Sequence, residues 1–214
     1  MPELLLKAPE GNIEIRFHEA ADAAAPMAIV LHPHPEHGGT MNNKVVYALY
    51  QAFADQGFHT VRFNFRGVGK STGNFDFGEG ELRDAVYVLK WMQDTFPAAS
   101  EEWVAGFSFG SWVALHLMKK NPKTKHFICA GPPANVYDFS FLLPFEREGI
   151  FVQGTADTIV DPKAAVELAD KVSRMSTIDI KCHMVEGADH FFSGKLTELS
   201  DIITRYIQDK RGTL

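Results

Sequence analysis

Ser108 stands in Gly106-Phe107-Ser108-Phe109-Gly110, between a short apolar run and a stretch with helical spacing. A serine in G-x-S-x-G suits a sharp strand-to-helix turn that lifts its hydroxyl clear of the backbone. The residues two away on either side must be tiny, because strand and helix nearly touch there. Such a hydroxyl could attack a carbonyl carbon, and the same turn points the Phe109 amide at the space above it. The plain alternative is a serine that only caps the helix.

A serine hydroxyl is a poor nucleophile unless a histidine takes its proton, and that histidine needs a carboxylate to fix its tautomer. In an open, mostly parallel sheet such groups belong on loops beyond the carboxyl ends of strands. One such loop offers Asp157 and Asp161; a later one, Glu186-Gly187-Ala188-Asp189-His190, offers a histidine. Asp161 precedes Pro162, and aspartate before a first-turn proline is a standard helix start. Asp157 has no such duty and is the favoured partner of His190, whose neighbours Ala188, Phe191 and Phe192 suggest a partly buried ring. Asp189 is read as structural.

Acyl transfer also needs amide donors for the oxyanion that develops. Phe109 offers one. The second is expected from the loop after the apolar run Met27 to Leu31, which reads His32-Pro33-His34-Pro35-Glu36-His37-Gly38-Gly39. Proline has no N–H, so His34 is the donor between Pro33 and Pro35.

The elements that must position these groups are legible as alternating periods. Leu4 to Lys7 and Ile13 to His18 read as a hairpin around Pro9-Glu10-Gly11-Asn12. Strands are expected at Met27 to Leu31, His59 to Phe65, Trp103 to Gly106, Phe127 to Ala130, Ile150 to Gln153 and Ile178 to Val185. Helices are expected at Lys44 to Gln56, Glu81 to Phe96, Phe109 to Lys120, Lys163 to Ser173 and Leu196 to Asp209. Strand-helix alternation predicts an α/β fold, a largely parallel sheet with helices on both faces.

At 214 residues with 45% hydrophobic and 22% charged residues, a single globular domain over 1–214 is expected. A net charge of −6 argues against nucleic acid or anionic membranes as partners. Cys129 and Cys182 make neither a zinc pattern nor a disulfide framework. The start, Met-Pro-Glu-Leu-Leu-Leu-Lys, lacks a signal-peptide pattern, and a cytoplasmic location is expected.

With these residues assembled, the chain resembles the α/β-hydrolase superfamily. The resemblance rests on the His32-Pro-His-Pro loop, Asn64-Phe-Arg-Gly-Val-Gly-Lys-Ser, Gly106-Phe-Ser-Phe-Gly, Gly154-x-x-Asp157 and Gly187-x-x-His190, and on the order Ser108, Asp157, His190. It is most similar to small bacterial members related to dienelactone hydrolases and short-chain carboxylesterases. That resemblance implies a Ser-His-Asp triad, no cofactor and a small-molecule ester, with a monomer or homodimer expected. Only Pro132 to Gly149 fills the interval where lidded relatives carry an insertion, so a minimal lid is expected. One departure is His-Pro where many relatives carry His-Gly.

Three other readings compete. His32-x-His34-x-Glu36-His37 resembles the metal motif of metallo-β-lactamase-like hydrolases, but further ligands are missing. Gly67-Val-Gly69-Lys70-Ser71 suggests a nucleotide loop, yet Asn64 and Thr72 occupy required glycine positions. A non-catalytic binding protein of the same fold would be expected to lack a triad member, and all three are present. Phe139, Phe141, Leu142, Leu143 and Phe145 form an apolar cluster that reads either as packing beneath its loop or as pocket wall or oligomer contact. Phe139, Phe141 and Leu142 join Phe191 as candidate pocket residues.

Overall fold

The computed structural model describes residues 3–176 and 178–212. Its hairpin, β1 (Glu3–Ala8) and β2 (Gly11–His18), closes through a turn at Pro9 and Glu10, with Ala8 opposite Gly11. The remaining strands are β3 (Met27–Leu31), β4 (His59–Phe63), β5 (Glu102–Phe107), β6 (Thr124–Ala130), β7 (Glu148–Gly154) and β8 (Lys181–Val185). Between them run α1 (Lys44–Asp55), α2 (Glu79–Thr95), α3 (Phe109–Lys120), α4 (Pro162–Met175) and finally α5 (Leu196–Arg211).

All eight strands form one sheet in the order β1-β2-β4-β3-β5-β6-β7-β8. The β1–β2 and β2–β4 pairings are antiparallel and the others parallel. Side chains of a strand alternate between faces, and β3 shows the result. Met27, Ile29 and Leu31 enter one core with residues of α2, α3 and α4, whereas Ala28 and Val30 enter the other with α1 and α5. Burial on both faces explains why β3 is wholly apolar.

The chain steps from β3 outward to β4, then returns to lay β5 on the other side of β3. Loops leaving β3 and β5 therefore diverge at their carboxyl ends, and a crevice opens between them. The Gly-x-Ser-x-Gly turn follows β5 and the histidine-rich loop follows β3. Topology alone brings both to one place.

Element bounds shift from the sequence reading where a backbone group finds another partner. β4 stops at Phe63 because the Phe65 amide donates to the His32 ring, 3.0 Å away, instead of to a neighbouring strand. The strand expected from Ile178 begins only at Lys181, since the Ile180 amide donates to Ser173 Oγ at 2.8 Å. Helix α2 starts two residues early because the buried Glu81 carboxylate accepts from the amides of Gly78 (2.8 Å) and Asp76 (3.0 Å). No helix among the described residues is long and apolar enough to cross a membrane.

Candidate active site

Ser108 joins β5 to α3 with φ 54° and ψ −123°, a region that costs an L-residue roughly 1–3 kcal/mol. Its side chain makes no capping bond to the helix, which removes the capping alternative. The flanking glycines are required by contact. A Cβ on Gly106 would strike the Gly110 carbonyl, and one on Gly110 would strike the carbonyls of Leu31 and His32. The turn is therefore pressed against both its own helix and the loop after β3.

His190 Nε2 lies 3.0 Å from Ser108 Oγ, and His190 Nδ1 lies 2.7 Å from Asp157 Oδ2. The Asp157 side chain is 1% exposed and that of His190 5%. Burial pushes the Asp157 carboxyl up, but the bonds from His190 and from the Val160 and Ile159 amides outweigh it, so the group is held below the ordinary 3.8. An ionised Asp157 must receive Nδ1–H, which leaves Nε2 free to accept the Ser108 proton. Asp157 Oδ1 accepts from Ile159 (2.9 Å) and Val160 (2.8 Å), and Gln153 Nε2 adds a 2.9 Å bond to Oδ2. Asp161 instead caps α4 through the Lys163 amide at 3.0 Å. Asp189 is occupied by the Ser193 amide at 2.8 Å.

Two loops hold this relay. A Cβ on Gly154 would collide with the Ala188 carbonyl, which accepts the Ala156 amide at 3.0 Å. The Gly187 amide donates to Thr155 Oγ1 at 2.8 Å. The acid loop and the histidine loop thus lie backbone against backbone, and Gly154 permits that approach. Below the imidazole sits Phe107, ring centroids 5.0 Å apart.

The loop expected to supply the second amide donor is held by His32. Its ring is fully buried, with Nδ1 2.6 Å from the Pro33 carbonyl and Nε2 accepting the Phe65 amide. Because Nε2 accepts, Nδ1 carries the proton and donates to Pro33. That carbonyl shares a peptide plane with the His34 N–H, so the His32 ring fixes how the His34 amide points. A Cβ on Gly39 would run into the same carbonyl, so the plane is held from a second side. The His34 ring packs 5.1 Å from that of Phe109, placing both expected amide donors at the same crevice.

The histidine-rich loop does not gather ligands for a metal. Both His32 nitrogens are spent, His34 Nδ1 accepts the Glu36 amide at 3.2 Å, and the His34 and His37 rings stack at 4.4 Å rather than converge. Burial pulls His32 down to about 3. Between pH 6.5 and 3 the unfolded chain therefore binds a proton there that the folded chain refuses. The resulting stability is fully present above pH 6.5 and is lost as pH falls toward 3. Urea midpoints measured from pH 7 to 4 are expected to decline in the wild type and to decline less steeply in His32→Asn. Equal slopes would assign the decline to other groups.

Of the four pocket candidates, Phe191 is the one beside His190, its ring 5.3 Å from the imidazole. Phe139 and Leu142 are buried in the core beneath their loop, and Phe141 stacks on His116 at 3.5 Å. Their loop lays these side chains against α3. The rings near the crevice are others: Phe75 packs 4.6 Å from His34 and 5.9 Å from Phe109, while Tyr137 sits 5.7 Å from Phe109 and 5.0 Å from Trp112. Phe75 and Phe77, two aromatics in an otherwise polar loop, were the available signal.

A family model described as X-Pro dipeptidyl-peptidase (S15 family) matches residues 19–142. An uncharacterized protein of Rickettsia prowazekii is 44% identical over 97% of this chain and 89% of its own length. A crystal structure from Agrobacterium tumefaciens, a putative α/β hydrolase of unknown function, is 41% identical with TM-score 0.93, covering 100% of this chain and 98% of that one. A Xanthomonas campestris structure, an α/β serine hydrolase without lid, is 33% identical with TM-score 0.87, covering 97% and 94%. The chain therefore belongs to the X-Pro dipeptidyl-peptidase (S15) family defined by that model, and with it to the α/β-hydrolase superfamily.

Proposed function

We propose that this hydrolase cleaves carboxylic esters, and by the same chemistry thioesters, through an acyl-enzyme on Ser108. The observation that carries the reading is the unbroken hydrogen-bonded chain Ser108–His190–Asp157. His190 takes the Ser108 proton as Oγ attacks the carbonyl carbon. The oxyanion is held by the amides of Phe109 and His34, neither of which is committed to another hydrogen bond among the described residues. His190 then returns the proton to the leaving oxygen, and the acyl group remains on Ser108. Water, deprotonated by the same imidazole, attacks the acyl-enzyme and releases the acid. Asp157 keeps the imidazole in one tautomer throughout and stabilises its charged form.

The family model favours a second reading, cleavage of X-Pro dipeptidyl amides. Turnover of p-nitrophenyl butyrate should be measured beside a glycyl-prolyl p-nitroanilide, each with and without a chelator. The ester reading expects chelator-insensitive ester turnover that exceeds anilide turnover. Anilide turnover well above the ester rate would hand the site to the peptidase reading.

A further inference from the structure

We infer that the acyl part of the substrate is a bulky apolar group, longer than acetyl, that lies against Phe75 and Phe77; this rests on the ester-hydrolase reading above. Phe77 carries two features that packing does not explain. The residue is 81% exposed, and its backbone sits at φ 51°. Non-glycine residues with positive φ are uncommon, and a bulky one there is strained. Among the described residues only Ser108 and Phe192 share this feature. Ser108 is the proposed nucleophile, and Phe192 is buried two residues beyond His190. Phe77 alone combines strain with a ring that gains almost no burial.

The backbone around Phe77 is nonetheless held firmly. The amides before and after it, at Asp76 and Gly78, both donate to the fully buried Glu81 carboxylate. Gly78 lies flat on Trp112, where a Cβ would strike the indole ring. Glu81 and Trp112 together force the chain to present the Phe77 ring outward.

That ring is the outer end of an aromatic run. Phe77 packs 5.2 Å from Phe75, and Phe75 in turn touches His34 and Phe109, whose amides face the developing oxyanion. Beside His190, Phe191 is 48% exposed. Since His190 must protonate the leaving oxygen, the leaving group belongs on the Phe191 side. The acyl group is the part left to meet Phe75 and Phe77. An apolar chain laid there would bury the exposed ring, which supplies the favourable contact the free protein lacks.

The test holds the leaving group constant and varies the acyl group, comparing kcat/KM for p-nitrophenyl acetate and octanoate. Wild type is expected to prefer octanoate. Phe77→Gly should lower the octanoate-to-acetate ratio about tenfold. It should also keep or raise the melting temperature, because glycine accepts φ 51° without strain. Val86→Ser, which removes an exposed apolar residue on α2, should leave the ratio unchanged. An unchanged ratio in Phe77→Gly, or a lowered melting temperature showing that the ring serves packing, would overturn the inference. Ester turnover with no octanoate preference in wild type would also overturn it, while leaving the ester-hydrolase reading standing. No turnover of either ester would remove that reading, and this inference with it.

Discussion

Ser108→Ala is expected to lower kcat on p-nitrophenyl butyrate by at least about 10³-fold while KM stays within a few-fold. The size follows from the role. Without Oγ no acyl-enzyme forms, and what remains is the amide donors at the crevice acting on a water-driven reaction. Because the Ser108 hydroxyl makes no capping bond to α3, its removal costs the helix no cap. The melting temperature should therefore stay close to wild type, separating lost chemistry from lost fold. Loss of the pre-steady-state burst of p-nitrophenol should accompany the loss of turnover. A variant that retained near wild-type turnover would contradict the mechanism outright.

Asp157→Asn is the second large effect, about 10⁴-fold in kcat, and its cause can be followed atom by atom. The Oδ1 position accepts two amides, from Ile159 and Val160, so the asparagine oxygen must take that place. The NH₂ group then faces His190 Nδ1, where a carboxylate oxygen stood. Nδ1 becomes an acceptor, Nε2 carries the proton, and Ser108 loses its base. Gln153 must also turn its amide, presenting the Oε1 that has no partner in the folded protein. The wild-type carboxyl, held below 3.8, stays ionised throughout an assay from pH 5 to 9. A deficit in Asp157→Asn of less than tenfold would mean that the carboxylate does not set the tautomer.

Much of this arrangement is written locally in the chain. Gly106 marks a turn because its constraint, a missing Cβ beside the Gly110 carbonyl, acts within five residues, whereas Gly110 is pressed by the remote carbonyls of Leu31 and His32. The choice of Asp157 over Asp161 was legible because Pro162 gave Asp161 a local duty, and Asp161 does cap α4. Helix α3 and strand β3 begin and end where periodicity and punctuation place them. What stays hidden is whatever a partner remote in sequence decides. The metal reading of the His32 loop is set aside for want of further ligands, but what occupies the His32 ring is not legible, because the Phe65 amide that donates to it lies 33 residues away. The Phe139 to Phe145 cluster suited packing as well as pocket wall or oligomer contact, and the burial of Phe139, Leu142 and Phe145 in the core depends on the path of their loop over α3, which spacing does not record. Phe77 drew no attention at all, because strain is a property of a dihedral angle and composition does not record it.

The sheet order has a consequence for how the molecule fails. Ser108 is mounted on β5, flanked by β3 and β6 and buried along its whole length. His190 follows β8, the terminal strand, where only Val185 is fully buried. Local opening is easiest where a segment has few buried apolar contacts and one neighbour. Transient release of β8 would carry off the base and loosen the acid loop leaning on it, while the nucleophile stayed folded. Catalytic competence and global stability then belong to separate opening events. In mild denaturant, activity should fade before Trp103, fully buried on β5, reports loss of the core.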